Sequence, residues 1–501
     1  MPHSYSGRRV APLAAALLGI ALAGGTDLCA VAAGLHMPRG HASLPDFGER
    51  DDGSRDALML AGQPDTEFSL SRDAGKSYAI PALEILGFQF LLNRFDRMVF
   101  GSDYAVSESS IRRNLRGPWV TDNDPYTINQ FGHPYQGSIY HGLARSAGLS
   151  YWEALGYTFA GSAVWEIAGE TTLPSKNDQI STGIGGTFLG ESLFRMAHLV
   201  LESGGGLSRE WRELAAAAIS PPVGFNRAMF GKRFAAAFDS RDPVYYSTLQ
   251  LGISGTTQNA PGASTRLRRN EAIANFSMDY GLPGKPGYRY ERPFDHFSFQ
   301  ITASSANAVE SIMTRGLLLG TDYEAGERYR GVWGLYGSYD YIAPQVFRVS
   351  STALSLGTTG QAWLTRTIAL QGSVMAGAGY AAVGTLRGAR ENDYRYGITP
   401  QMLIALRLIM ADRAALDVTA REYFVSNVAG GSRGGHDNIA RADVTFTWRI
   451  HKQHAVAVKY LWSRRDATYP DLGDRTQTRA TIGVFYTLLG LDRFGAVDWR
   501  Q

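Results

Sequence analysis

Asp443-Val444-Thr445-Phe446-Thr447-Trp448-Arg449-Ile450 alternates polar and apolar residues without a fault. The polar link His451-Lys452-Gln453-His454 follows, and the alternation resumes with Ala455-Val456-Ala457-Val458-Lys459-Tyr460-Leu461-Trp462. A period of two belongs to a β-strand, whose successive side chains point to opposite faces. Two such strands joined by so short a link must run antiparallel. One face carries Val444, Phe446, Trp448 and Ile450, and the other carries Thr445, Thr447 and Arg449.

The same alternation recurs at Asn275–Tyr280, Asp295–Thr302, Gly331–Tyr341, Tyr394–Met410 and Ala480–Leu488. It predicts about twelve strands between residues 244 and 489, many of them near ten residues or longer, the length of a tilted strand crossing a bilayer. Arg395, Gln401, Arg407, Asp417, Arg421, Asp443, Arg449 and Lys459 fall on the polar face. A soluble sandwich would hydrate that face, whereas a barrel would turn it into a lumen. The expected fold is mainly β: an antiparallel transmembrane barrel of the outer-membrane type, with an α-helical domain before it. One feature departs from that type. The last strand ends near Leu488 and a tail, 490–501, follows, so Trp499 is close to the end without being terminal.

The N-terminus agrees with export. Arg8 and Arg9 precede an apolar run, Val10 to Ala23, too short to span a bilayer, and Ala30-Val31-Ala32 offers a small-x-small cleavage site. Residues 1–32 are therefore expected to be a signal peptide. The only cysteine, Cys29, lies inside it, so the mature chain would have neither disulfide nor cysteine–metal site. Residues 33–77, rich in Gly, Asp, Ser and Arg, read as a loose segment. Composition adds two limits. A net charge of +3 gives no reason to expect nucleic acid as a partner. With 57 Gly, 25 Tyr and 23 Phe among 501 residues, the chain suits turns and aromatic girdles better than a helical bundle.

Residues 78–232 read as helical. Leu83, Leu86, Phe90 and Leu91 recur at helical spacing. Residues 101–133 look mostly irregular. Three helices then follow: Pro134 to Ala147, stopped by Gly148; Ser150 to Ala168, opened by the capping pair Ser150 and Glu153; and Ser175–Asp178 to Leu201. Gly183, Gly186 and Gly190 thin one side of the third. A fourth runs from Ser208 to Ile219 and ends at Pro221-Pro222.

This stretch concentrates the chemistry-bearing residues: Asn129, His133, His141, Arg145, Glu166, Glu170, Asp178, Glu191, Arg195 and His198. Glu166 and Glu170 share a helix face, as do Glu191, Arg195 and His198. Structural roles suffice for many of them. Glu191–Arg195 is an ordinary helix pair, Asp178 suits a helix N-terminus, and Glu166 and Glu170 could face lumenal arginines. His141, Glu166, Glu170, Glu191 and His198 are types that a metal site uses, but no His-Glu-x-x-His or Glu-x-x-His spacing occurs. No metal and no particular cofactor is therefore expected. A hydrolase would use His133 or His141 as base, with Arg145 or Arg195 holding a phosphate. Ser175 follows Pro174, where helix capping explains it, and no Gly-x-Ser-x-Gly surrounds it. Gly183-x-x-Gly186-x-x-x-Gly190 lacks the Lys-Ser/Thr of a nucleotide loop, and Gly430 to Gly435 reads as an outer loop between strands.

The pattern Asn129, His133-Pro134, Gly137, Tyr140, Arg145, Gly148, Trp165-Glu166, Glu170, Pro174-Ser175, Asp178 and Gly190-Glu191 resembles a bacterial cell-envelope domain family of unknown function. The resemblance covers residues 120–205. It implies a Gram-negative envelope location and a domain paired with a barrel, and it implies no activity. The leading expectation is an outer-membrane barrel that binds or passes a small molecule or lipid, with helices that plug the barrel, dock on it or lie in the periplasm beneath. An envelope hydrolase using the His/Glu residues and a structural envelope-stability factor are the alternatives. The expected partners are outer-membrane lipid and the outer-membrane assembly machinery.

Overall fold

A computed structural model describes residues 75–203, 207–235, 237–259, 267–344, 347–384, 392–429, 434–470, 473–490 and 492–499. The expected signal peptide, most of the loose segment 33–77 and the Gly430–Arg433 part of the outer loop lie outside them.

Twelve strands form one closed barrel. They are β1 (Tyr245–Gln258), β2 (Leu267–Tyr280), β3 (Phe297–Ser304), β4 (Asn307–Ala325), β5 (Tyr329–Ile342), β6 (Arg348–Trp363), β7 (Ile368–Gly384), β8 (Tyr394–Met410), β9 (Ala414–Ala429), β10 (His436–His451), β11 (His454–Tyr469) and β12 (Gly473–Leu489). Each strand pairs antiparallel with its neighbours in sequence, and β1 pairs with β12 to close the ring. Closure leaves no sheet edge unpaired. At the β10–β11 hairpin Lys452 takes a positive φ of 49° to make the two-residue turn. Phe446 then stands opposite Val458, and Val444 opposite Tyr460. These apolar residues are exposed, while Thr445, Thr447, Ala455 and Ala457 are buried. The apolar face therefore points outward and the polar face inward, as the alternation predicts for a membrane barrel.

Charged side chains cross the lumen. Arg407 of β8 reaches across to Asp279 of β2 at 3.0 Å and pairs with Asp417 of β9 at 2.6 Å. Arg421 and Tyr423 of β9 meet Asp340 of β5 at 3.4 and 2.8 Å. Arg479 of β12 meets Glu310 of β4 at 2.8 Å. Beside Arg315, Asp340, Gln401 and Arg421 there remains a cavity of about 10 Å³, at the lower limit for one water. One mouth is stopped by the chain's own C-terminal tail. Phe494, Val497 and Trp499 pack against inward residues of the strand ends, among them Tyr246, Trp363, Ile409 and Leu489. Gln361 and Trp363 donate to the Val497 carbonyl at 2.6 and 3.0 Å, and Gln371 to that of Gly495 at 2.9 Å.

The helices before the barrel are α1 (Ala79–Phe100), α2 (Glu108–Arg116), α3 (His133–Ser146), α4 (Tyr151–Ala168), α5 (Lys176–Ile180), α6 (Gly186–Ser203), α7 (Arg209–Ile219) and α8 (Pro221–Phe230). The α4 capping box forms: the Ser150 N–H donates to Glu153 at 2.6 Å. Gly148, at φ 86°, ends the α3 region as a left-handed stop. Two elements differ from the sequence reading. α2 lies within the stretch read as irregular; the Ser107 capping box and the pair Ile111 and Leu115, four residues apart, are its sequence signals. Pro221-Pro222 does not merely end α7. It starts α8, because proline suits the first helical turn, where its missing N–H is not needed. α3 and α6 cross so closely that a Cβ on Gly186 would strike the Gly137 backbone.

Of the placements expected, the structure gives docking, and it is docking on the outer wall. One hydrogen-bonded row crosses eight strands: Leu249, Phe276, Ile301, Ile312, Tyr341, Ser350, Ala382 and Tyr396. It lies on the same face as the outward residues Ile253, Leu356, Val374 and Met402, which are exposed. The row itself is covered. Tyr126 and Phe131 pack with tilted rings on Tyr341, and Phe188 fills the space over Gly337. Ser192 and Thr314 share a hydrogen bond of 2.6 Å, and Tyr339 donates to the Gln130 carbonyl at 2.5 Å. These contacts set the described helices against the outward face, while inward side chains and the tail cross or stop the lumen. Among the described residues, Glu166 and Glu170 pair with no arginine.

Candidate functional site at the helix–barrel seam

The polar residues gathered by the sequence reading separate into distinct places. The first is built around two π turns, Ile128–Gly132 ahead of α3 and Ser181–Gly185 between α5 and α6. Such turns shift the side-chain phase of a helix and recur at functional sites. Here they set His133, at the head of α3, opposite Asp178 and Thr182. His133 Nε2 stands 3.7 Å from Asp178 Oδ2, and its Nδ1 stands 3.3 Å from Thr182 Oγ1. Glu166, near the end of α4, accepts the Ser175 N–H through Oε2 at 2.8 Å. Its Oε1 is buried without a partner. His133, Glu166 and Asp178 each place one ligating atom within 4.8 Å of the others, and all three residues are buried.

The chain segment before α3 and the outer wall complete the centre. Asp122 accepts hydrogen bonds from Asn129 and Asn177, both at 2.7 Å. Asn177 also donates to Tyr396 at 2.7 Å, and Asn129 to Tyr394 at 2.8 Å. β8 thus supplies two tyrosines to a site otherwise made by the helical domain. Ser175 caps α5, accepting the Asp178 N–H at 3.2 Å and donating to Asn177 at 2.9 Å. Those bonds give its hydroxyl a capping role.

Among the described residues none of Asp122, Glu166, Glu170 and Asp178 pairs with Lys or Arg. Burial, with Asp122 and Glu166 close by, holds the Asp178 carboxyl well above the usual range. Burial and Glu170 do the same to Glu166. Glu170 is pushed up to about 7 by burial and by Asp124, while it accepts the Trp165 indole N–H at 2.6 Å. Burial pushes His133 down to about 4 despite the pull of Asp122. Burial thus disfavours the charged form of both facing groups, the His133 imidazole and the Asp178 carboxyl.

The second place is an ion lock. Glu191 on α6 accepts from Arg145 Nε at 2.7 Å, from Arg195 Nε at 2.8 Å, and stands 3.0 Å from His141 Nε2. Burial would raise this carboxyl, but Arg145, His141 and Arg195 hold it well below its usual range. Arg195 continues to Asp295, in the β2–β3 connection. Two guanidiniums already compensate Glu191, so this cluster has the charge balance of a fastener. His198 lies apart. Its ring packs on Phe194 and Phe238, with Glu202 at 4.0 Å. The five possible metal-ligand types considered from sequence therefore do not converge. His141 and Glu191 sit in the lock, Glu166 and Glu170 near the first centre, and His198 in an aromatic pocket.

Sequence reasoning missed Asp122, Asn177, Thr182, Tyr394 and Tyr396. The tyrosines left a signal: they head the outward face of β8, which continues with Ile398, Met402, Ile404 and Leu406, all exposed. Hydroxyls in that row mark where another polar surface meets the wall.

No curated protein matches the chain. Solved barrels give distant likenesses. The NanC porin is 7% identical over 47% of this chain and 98% of its own, with a TM-score of 0.25. The KdgM porin is 10% identical over 47% and 98%, at 0.20. The translocator domain of the autotransporter NalP from Neisseria meningitidis is 16% identical over 52% and 95%, at 0.21. Likenesses at these scores carry no argument. The helical domain has a match of its own: residues 118–222, which contain the His133, Glu166 and Asp178 centre, match the family described as Domain of unknown function (DUF3943).

Proposed function

We propose that this chain is an outer-membrane protein whose barrel anchors and whose helical domain works, binding a polar ligand at the His133–Glu166–Asp178 centre. The observation that carries this reading is the centre's position. It lies where the helices meet the outer wall, closed on the barrel side by Tyr394 and Tyr396. The outward rows support the membrane location. Strands of up to 19 residues exceed the roughly 10 that a tilted crossing needs. The helical domain continues that apolar surface through Leu83, Phe90, Leu91, Trp152, Trp211 and Leu214, all exposed. None of the described helices is long and apolar enough to cross a membrane. It is the barrel wall that holds the domain in the bilayer.

In this reading the lumen carries no traffic, because Arg407, Arg421 and Arg479 cross it and the tail stops one mouth. The intact chain in a planar bilayer is expected to be electrically silent, and stepwise conductance would overturn the proposal. A hydrolase acting on membrane lipid is the second reading. His133 and Asp178, facing each other at 3.7 Å, are the residue types that acid–base chemistry uses. Lipid mass spectrometry of cells with the wild type or Glu166→Gln, at equal barrel insertion, decides it. Identical profiles remove this second reading.

A further inference from the structure

Buried carboxyls ordinarily find a guanidinium, an ammonium or a metal ion, since burying an unpaired charge is costly. The contrast within this one domain is sharp: Glu191 has two arginines, whereas Glu166 and Asp178 have none. We propose that His133, Glu166 and Asp178 bind a divalent first-row transition cation, with Asp122 beside them. The proposal rests on the reading that this centre is the ligand site, and it names the ligand.

Three features point the same way. The donor set is one imidazole nitrogen and two carboxylate oxygens, which suits zinc or manganese better than calcium, a cation that takes oxygen alone. The spacing is short enough. Ligands on bonds of about 2.1 Å stand roughly 3.4 Å apart around a tetrahedral ion, and His133 Nε2 and Asp178 Oδ2 are 3.7 Å apart. Finally, Glu166 Oε1 is buried without a hydrogen-bond partner, while Oε2 is held by the Ser175 N–H. The carboxylate is thus oriented through one oxygen and free to ligate through the other. Thr182 at His133 Nδ1 plays the corresponding part for the imidazole, fixing the ring so that Nε2 faces the carboxylates.

The test uses the full-length protein in detergent, stripped with a chelator, desalted, and then given Zn2+ alone. Metal retained after a second desalting is measured by elemental mass spectrometry. About one equivalent is expected to stay on the wild type. A drop of at least tenfold in affinity is expected for Asp178→Asn and for Glu166→Gln, both nearly isosteric. His451→Gln with His454→Gln, which removes the exposed turn histidines, is expected to retain the ion. Equal retention by the wild type and the Asp178→Asn variant would overturn the proposal, as would no retention or binding of Ca2+ in preference to Zn2+. Should the variants misassemble, the wild type alone still decides. Co2+ bound through imidazole and carboxylate in a low-coordinate site gives intense visible bands, and the pale spectrum of aqueous Co2+ would overturn the inference. Conductance is measured separately, so a metal-free but silent protein refutes this inference and leaves the anchor reading standing.

Discussion

Arg195 of α6 and Asp295 of the β2–β3 connection face each other at 3.0 Å, one 1% and the other 0% exposed. Asp295 also receives Arg241 and Arg292, together with the backbone N–H groups of Glu291 and Arg292. One carboxylate thus ties the helical domain to the barrel. Asp295→Ala leaves three guanidiniums facing a void, and removing one partner of a buried pair costs about 3–5 kcal/mol. We expect the variant barrel to stay folded, read as unchanged β-sheet circular dichroism, while the helical domain becomes open to limited proteolysis. Unchanged protease resistance would show that the apolar row suffices to hold the domain.

His198 contributes an acid-side part of the pH response of the docked domain. Burial, then Arg145 and Arg227, push its imidazole from 6.5 down to about 3, with Glu191 opposing them and Arg195 adding to them. A folded-state value below the unfolded one means that the stabilisation is complete above pH 6.5. It is lost progressively as pH falls toward 3, where the folded ring finally protonates. Between pH 6.5 and 3 the wild type is therefore expected to lose more of its thermal midpoint than His198→Asn, against the opposite slope that the raised carboxyls of Glu166, Glu170 and Asp178 contribute. His141 is lowered by burial in the same direction, so His198→Asn is expected to shrink the slope and not to abolish it. An unchanged slope would assign the acid sensitivity elsewhere.

Ending the chain at Gly490 removes Phe494, Val497 and Trp499 from the mouth of the lumen. Burial of each such side chain contributes about 1.5–3 kcal/mol. A lowered thermal midpoint is expected, together with clear iodide quenching of Trp363, read as the difference from Trp363→Phe. Conductance is still expected to be absent, because the Arg407–Asp279 and Arg479–Glu310 crossings remain. Current through the truncated protein would mean that the tail alone seals the barrel.

Cys29 lies within the expected signal peptide, so a spin label can be placed on the mature chain without competition. Leu214→Cys on α7 and Val458→Cys on the open wall are both exposed positions. Comparable accessibility of both labels to oxygen, with little to a water-soluble nickel complex, is expected if the helical domain shares the bilayer with the barrel. Ready nickel access at residue 214 alone would put the helices in water.

The barrel was legible because side-chain alternation is local: Val444, Phe446 and Trp448 declare a face without reference to the rest of the chain. The helical domain was legible for the same reason, through the Ser150–Glu153 cap and the Gly148 stop. Docking on the outer wall was not. Leu249, Phe276 and Ile312 are apolar outward residues, and lipid and helix make the same demand on such a position. The centre was legible only as a list. His133, Glu166 and Asp178 belong to three elements whose meeting depends on two π turns, and a π turn has no sequence signature comparable to a cap. The list also pooled Glu191 with Glu166. What separates them is the company of Arg145 and Arg195, a matter of three-dimensional neighbours and not of residue type.

The covered row from Leu249 to Tyr396 gives the barrel a front and a back. A bare cylinder presents lipid with the same wall from every compass bearing. Here the flank from β9 to β12 leaves its outward rows bare, while the flank from β1 to β8 carries helices across one level and leaves Ile253, Leu356, Val374 and Met402 open. In the proposed membrane reading, a neighbour arriving at that level would meet strand from one side and helix from the other.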